Sequence, residues 1–319
     1  MTLSTLSSAA ALRSPITELK RALSGALRGK PDVVRLALTA LLARGHLLVE
    51  DVPGVGKTTL AAALARSVGG RFARVQFTAD LLPSDLIGVS ILEPTNRSFE
   101  FRHGPIFTHV LLADEINRAT PKTQSALLEE MSEHRVSVDG VTRTLPEPFF
   151  VVATQNPLEH HGTFPLPDSQ LDRFLLRVYV GYPSADHERE ILREDQQQRR
   201  EDAIEAVLTP EQLVGLQRAA DAVRTADAVL GYIVALAHAT RQLPGVAIGA
   251  SPRGSLALHR AAKAWALIDE RDYVTPDDVK AVASAVLAHR LVLDNVDDSD
   301  RAPAEDAVRE VLAAVPVPR

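Results

Sequence analysis

The chain contains no cysteine in its 319 residues. That excludes disulfides, a thiolate metal site and a cysteine nucleophile. No apolar run reaches the ~18 residues that a membrane span requires. The start, "MTLSTLSSAAALRSP", is small and apolar but has no basic segment, so no signal peptide is expected. There is no internal repeat and no low-complexity tract. A basic excess is also missing. The formal net charge is −6, which argues against a nonspecific nucleic-acid binder, since such proteins carry a basic face. The remainder is ordinary for a globular protein, with 45% hydrophobic and 24% charged residues. At ~150 residues per domain, the length suits two domains. The expectation is a cytoplasmic protein.

Against these absences stands "DVPGVGKTT", Asp51 to Thr59. Gly54 and Gly56 let the backbone curl so that N–H groups of the Pro53–Thr59 loop, Val55 among them, can converge on phosphate oxygens. Lys57 adds a positive charge for the outer phosphates, Thr58 offers a hydroxyl to magnesium, and Thr59 continues into a helix. That helix points its positive end at the same anion. Asp51 takes the first glycine position of the G-x-x-x-x-G-K-[ST] pattern, and its carboxylate is expected to face away from the phosphates. About fifty residues later, "VLLADE" is an apolar strand ending in two carboxylates. Asp114 is placed to hold hydrated magnesium, and Glu115 to polarise an attacking water. Together the two stretches point to binding and hydrolysis of a nucleoside triphosphate.

Organisation along the chain fits. A first helix is expected in "SPITELKRALSGAL", with Ser14 as N-cap and Pro15 in the first turn. A second, "KPDVVRLALTALLARG", should stop at Gly45. "HLLVE", "RFARVQF", "HVLLADE", "PFFVVATQNP" and "RFLLRVYV" are short apolar strands separated by helical stretches, the pattern of a parallel sheet covered on both faces. Two β-hairpins interrupt it, at Gly88 to Pro105 and at His134 to Pro146, the second turning at Asp139-Gly140. Phe99 and Phe101 share one face of the first hairpin, with packing favoured over contact with a client. After residue 190 no strand-like run remains. Four helical patterns follow, then an acidic, weakly helical tail expected to be peripheral. The expected division is residues 1–183 as an α/β nucleotide-binding domain and 184–319 as a helical domain with its tail.

An α/β nucleotide domain followed by a small helical lid resembles an AAA+ ATPase. "VVATQNP" places Asn156 where that family has a polar sensor near the γ-phosphate. "LPDSQLDRF" places Arg173 at the arginine finger offered to a neighbouring subunit. "GASPRGSL" places Arg253 at a lid arginine that reaches back to the nucleotide. "DEINRA", "GPIF" and the terminal "VPVP" resemble the MoxR family in particular, as do the two hairpin inserts. The resemblance implies ATP and Mg²⁺ as cofactors and catalytic roles for Glu115, Asn156, Arg173 and Arg253. It also implies a homo-oligomeric, hexameric ring acting as a chaperone on a client protein, often beside a von Willebrand A-domain protein. Arg118 is left between reaching a neighbouring nucleotide and an intersubunit salt bridge. His160 and His161 stand where MoxR members have an acidic residue or glutamine. They are read as solvated loop residues, because adjacent histidines without a third ligand seldom hold a metal. A magnesium-chelatase-type motor and an MCM-like nucleic-acid motor are the competing readings within the same clade. Thin hairpin charge and the acidic balance set the expectation of no strong nucleic-acid binding.

Overall fold

The computed structural model describes residues 9–51, 54–95, 97–156, 162–195, 205–294 and 302–318. Five strands form one parallel sheet. From edge to edge they are Phe72–Gln76, Val110–Asp114, Phe150–Gln155, Leu47–Glu50 and Leu176–Val178. The three inner strands are apolar almost throughout because both their faces are buried, whereas the edge strand Phe72–Gln76 alternates exposed and half-buried residues. Successive side chains point to opposite faces, and this splits the strands between two cores. Leu47, Val49, Val110, Leu112, Phe150 and Val152 fill one; Leu48, Leu111, Ala113, Val151 and Ala153 fill the other.

The first core is covered by the helices Ala9–Ala26, Pro31–Leu42 and Lys57–Ser67. It continues without a break into the helical half, through Leu213, Leu236, Leu258 and Val282. The second core packs beneath the helix Pro121–Glu133, with Leu127, Leu128 and Met131 facing the sheet. Both hairpins form as expected: Gly88–Glu93 pairs with Ser98–His103, and Arg135–Val138 pairs with Val141–Thr144. The second turns through Asp139 and Gly140, both at positive φ.

Four local expectations are corrected. Ser14 is not an N-cap, because the first helix begins at Ala9 and Pro15 lies inside it. Pro15 removes one N–H from the ladder, and the alanines before it favour helix enough to continue. Gly45 is not the left-handed cap of the second helix; Arg44 takes the positive φ. Gly45 is needed for close approach instead: a Cβ there would collide with the Leu175 side chain. The helical half also holds a small antiparallel ladder, Val246–Ile248 with Val292–Leu293, too short to leave a pattern. Finally, the tail helix Ala302–Ala314 buries Val308 and Val311 fully, so it belongs to the core rather than the periphery.

The helices Pro210–Ala222, Asp227–Gln242, Pro252–Ile268 and Pro276–Leu287 are the four expected. Thr209, Ser251 and Thr275 cap three of them, each hydroxyl accepting a backbone N–H ahead of a proline.

Candidate functional site

The carboxyl ends of the sheet strands gather the motifs, as the fold requires of a ligand site. Gly54 (φ +84°) and Gly56 (φ +95°) hold left-handed conformations that a side chain would strain. The helix Lys57–Ser67 starts immediately afterwards. Gly54, Gly56, Lys57, Thr58 and Thr59 line one wall of a cavity of about 370 Å³; Arg74, Gln76, Asp114 and Glu115 line the other. Lys57 is buried, and its Nζ donates to the Asp51 carbonyl at 2.9 Å. The Asp51 carboxylate accepts the Gly181 N–H instead of lining the cavity. That is the orientation expected from its repulsion with phosphate.

One hydroxyl organises the two carboxylates. Thr154 Oγ1 donates to Asp114 Oδ1 at 2.7 Å and accepts the Glu115 N–H at 2.8 Å. Glu115 needs such a hold because it sits at φ 55°, ψ 51°, a conformation costly for a residue with a Cβ. The other Asp114 oxygen accepts from Arg74, at 2.7 Å and 3.2 Å. Glu115 Oε2 accepts from Gln76 and from Arg118, both at 2.9 Å. Arg118 therefore has a partner within its own chain. Arg74, Gln76 and Thr154 escaped sequence reasoning. Their only signal is the polar alternation around Val75 and one threonine in an apolar strand.

Asn156 follows the strand Phe150–Gln155 directly and is 5% exposed. Its strand lies between the one that ends in Asp114 and the one that leads into the loop. Pro53, His160 and His161 lie outside the described residues.

Arg173 and Arg253 border a different cavity, of about 350 Å³, together with Glu129, Glu133 and Gln170. Arg173 donates to the Leu128 carbonyl and to Ser132 Oγ. Arg253 is more than half exposed, with Asp172 at 4.0 Å. Neither lines the loop cavity. Arg253 was expected to reach back to the nucleotide. It lines the same cavity as Arg173, near Asp172.

Residues 46–176 match the family described as ATPase family associated with various cellular activities (AAA), and residues 238–311 match the AAA lid domain. Chaperone MoxR1 of Mycobacterium tuberculosis is 42% identical, over 97% of this chain and 82% of its own. Protein MoxR of Methylorubrum extorquens is 34% identical, over 96% of each. The chain belongs to the MoxR family of AAA+ ATPases. It binds nucleotide and hydrolyses ATP. The protein YeaC of Bacillus subtilis is 51% identical over 91% of each chain. A Cytophaga hutchinsonii crystal structure superposes with a TM-score of 0.88 at 34% identity, covering 98% of this chain and 97% of that one. A Methanopyrus kandleri MCM homologue shares the fold alone, with a TM-score of 0.62 at 20% identity, covering 92% of this chain and 64% of that one.

The MoxR site suits magnesium. Its donors are a hydroxyl and a carboxylate, the hard oxygens that this cation takes in company with phosphates. Among the described residues, no cluster of three or more His, Cys, Asp or Glu offers another metal site. No described helix is long and apolar enough to cross a membrane.

Proposed function

We propose that this MoxR-family ATPase works as a ring, a hexamer on the family resemblance, in which each nucleotide site is completed by the next subunit. The observation that carries the reading is the separation of the two cavities: phosphate loop and carboxylates in one, Arg173 and Arg253 in the other. Lys57 and the amides of the loop, residues 53–59, bind the phosphates. Thr58 and Asp114 are the residues to hold Mg²⁺, which neutralises phosphate charge when bound. Glu115 orients the attacking water, with Asn156 helping to place it. Gln76 and Arg118 hold the Glu115 carboxylate until nucleotide and neighbour are in place. Arg173 and Arg253 then face the neighbour's γ-phosphate and stabilise the charge that develops there. The division into a nucleotide domain, 1–183, and a lid domain, 184–319, belongs to the same reading.

A relative that is called a chaperone supports coupling of hydrolysis to the maturation or assembly of partner proteins; the cytoplasmic location and a von Willebrand A-domain companion rest on the family resemblance alone. Phe99, 75% exposed on the first hairpin, is available to a client. Phe101 is not, since it packs on Phe107 and beneath the Arg143 guanidinium.

Mixing two inactive proteins tests the ring. Arg173→Ala should bind ATP but turn over ~10³-fold more slowly, the lower end for a transition-state arginine. Lys57→Ala should lose binding, because it removes a charge-assisted phosphate contact. Mixed rings should recover part of the activity, since a Lys57→Ala subunit still offers its arginines. No recovery despite demonstrated subunit exchange would refute the shared site.

A further inference from the structure

The roles above leave unused a guanidinium buried at the junction of the helical half and the sheet. Arg290 closes the short turn Ala288–Arg290, and its side chain is 3% exposed. A buried cation is tolerated only when its donors are well used. Those of Arg290 converge on one segment. Nε donates to Asp172 Oδ1 at 2.7 Å. One terminal nitrogen donates to the Phe174 carbonyl at 2.6 Å and the Asp172 carbonyl at 3.3 Å. The other donates to the Leu175 carbonyl at 3.2 Å and to the Val286 carbonyl of the preceding helix, Pro276–Leu287. The residues on both sides of Arg173 are thus held by one lid side chain. Asp172 also faces Arg253 at 4.0 Å. Gly254, the next residue, leaves room for Arg290: a Cβ there would lie 3.2 Å from Arg290 Cδ.

We propose that Arg290 is a positioning residue. Through Asp172 and the carbonyls flanking Arg173, it sets the spacing of Arg173 and Arg253 and ties both to the orientation of the lid. The pair offered to the neighbouring subunit is then delivered as a unit, and a lid displacement on one subunit reaches the nucleotide of the next. This rests on the shared-site reading above.

Arg290→Lys keeps the charge but cannot fork between carboxylate and carbonyl. A misplacement of about 1 Å costs roughly 10²-fold in rate. The variant should therefore lose ~10- to 100-fold in kcat with its KM for ATP within about twofold of wild type, because its own loop cavity is untouched. Mixed with Lys57→Ala, it should regain activity. Mixed with Arg173→Ala it should not, because both would be defective on the arginine-bearing side. Should Arg290→Lys fail to fold, Asp172→Asn is read in the same two mixtures with the same expectation. Wild-type kcat, a raised KM, or no recovery with Lys57→Ala would overturn the proposal. Full activity of Arg173→Ala would instead overturn the shared site itself.

Discussion

Thr154→Val is nearly isosteric and removes one oxygen that two other groups depend on. Thr154 is fully buried in the strand Phe150–Gln155, so no water replaces the hydroxyl. The Glu115 N–H loses its 2.8 Å acceptor, and an orphaned buried donor costs about 1–3 kcal/mol. Asp114 Oδ1 loses a 2.7 Å donor, a charge-assisted bond of about 1.5–3 kcal/mol, though Arg74 still holds the other oxygen. Together the loss should be about 2–4 kcal/mol, or a melting midpoint lower by ~4–8 °C. The catalytic effect should be larger than this suggests. Glu115 keeps its left-handed backbone against its own cost, of order 1–3 kcal/mol, and without the hydroxyl it can relax and carry its carboxylate away. We expect kcat to fall ~10²-fold, in line with a displacement near 1 Å, while nucleotide affinity stays within a few-fold because the loop is untouched. Thr154→Ser should restore most of both losses. Steady-state ATPase at saturating ATP, a nucleotide titration and a thermal melt decide it. A Thr154→Val protein with wild-type turnover would show that the hydroxyl organises nothing.

Two further expectations concern stability. Glu130 has a buried Oε2 without a hydrogen-bond partner. Burial first, and then Glu129 and Glu133, push its pKa up from 4.5 to about 7. The folded chain then binds a proton that the unfolded chain has released, so this group's stabilising contribution is present below pH 4.5 and lost as pH rises through 7. Glu130→Gln should match wild type near pH 4.5 and exceed it by about 1–3 kcal/mol at pH 8; melting curves that stay parallel across this range would refute it. His46 acts in the opposite sense, its pKa lowered by burial to about 4, so its contribution is lost as pH falls from 6.5 towards 4 and is common to both proteins compared. Gly45→Ala would drive a methyl into buried Leu175 and should cost about 1–3 kcal/mol by overpacking; an unchanged melting midpoint would count against the close approach.

Legibility in the sequence followed the range of the physics. Strands, hairpins and capped helices are set by neighbours within a few residues, so alternation, Asp139-Gly140 and the Thr/Ser-Pro caps announced them. The loop from Gly54 to Thr59 was equally legible, because its chemistry lies in consecutive residues. Ser14 and Gly45 misled, since a helix can absorb an early proline and a glycine can serve packing rather than φ. The ladder of Val246–Ile248 with Val292–Leu293 left no trace, because two strands of three and two residues have no period.

The sequence by itself determined that a phosphate-binding loop and a pair of carboxylates end parallel strands, and that a helical half follows. Residue type and local periodicity suffice for that. Tertiary structure alone decided which side chains meet. Thr154 reaches Asp114 and Glu115 across 39–40 residues, and Arg290 reaches the segment around Arg173 across 115–118. Packing also put Arg253 beside Arg173 rather than at its own chain's loop. Such meetings depend on the angle at which the helical half packs against the sheet, and that angle is fixed by a core shared between them, which no single stretch of sequence encodes.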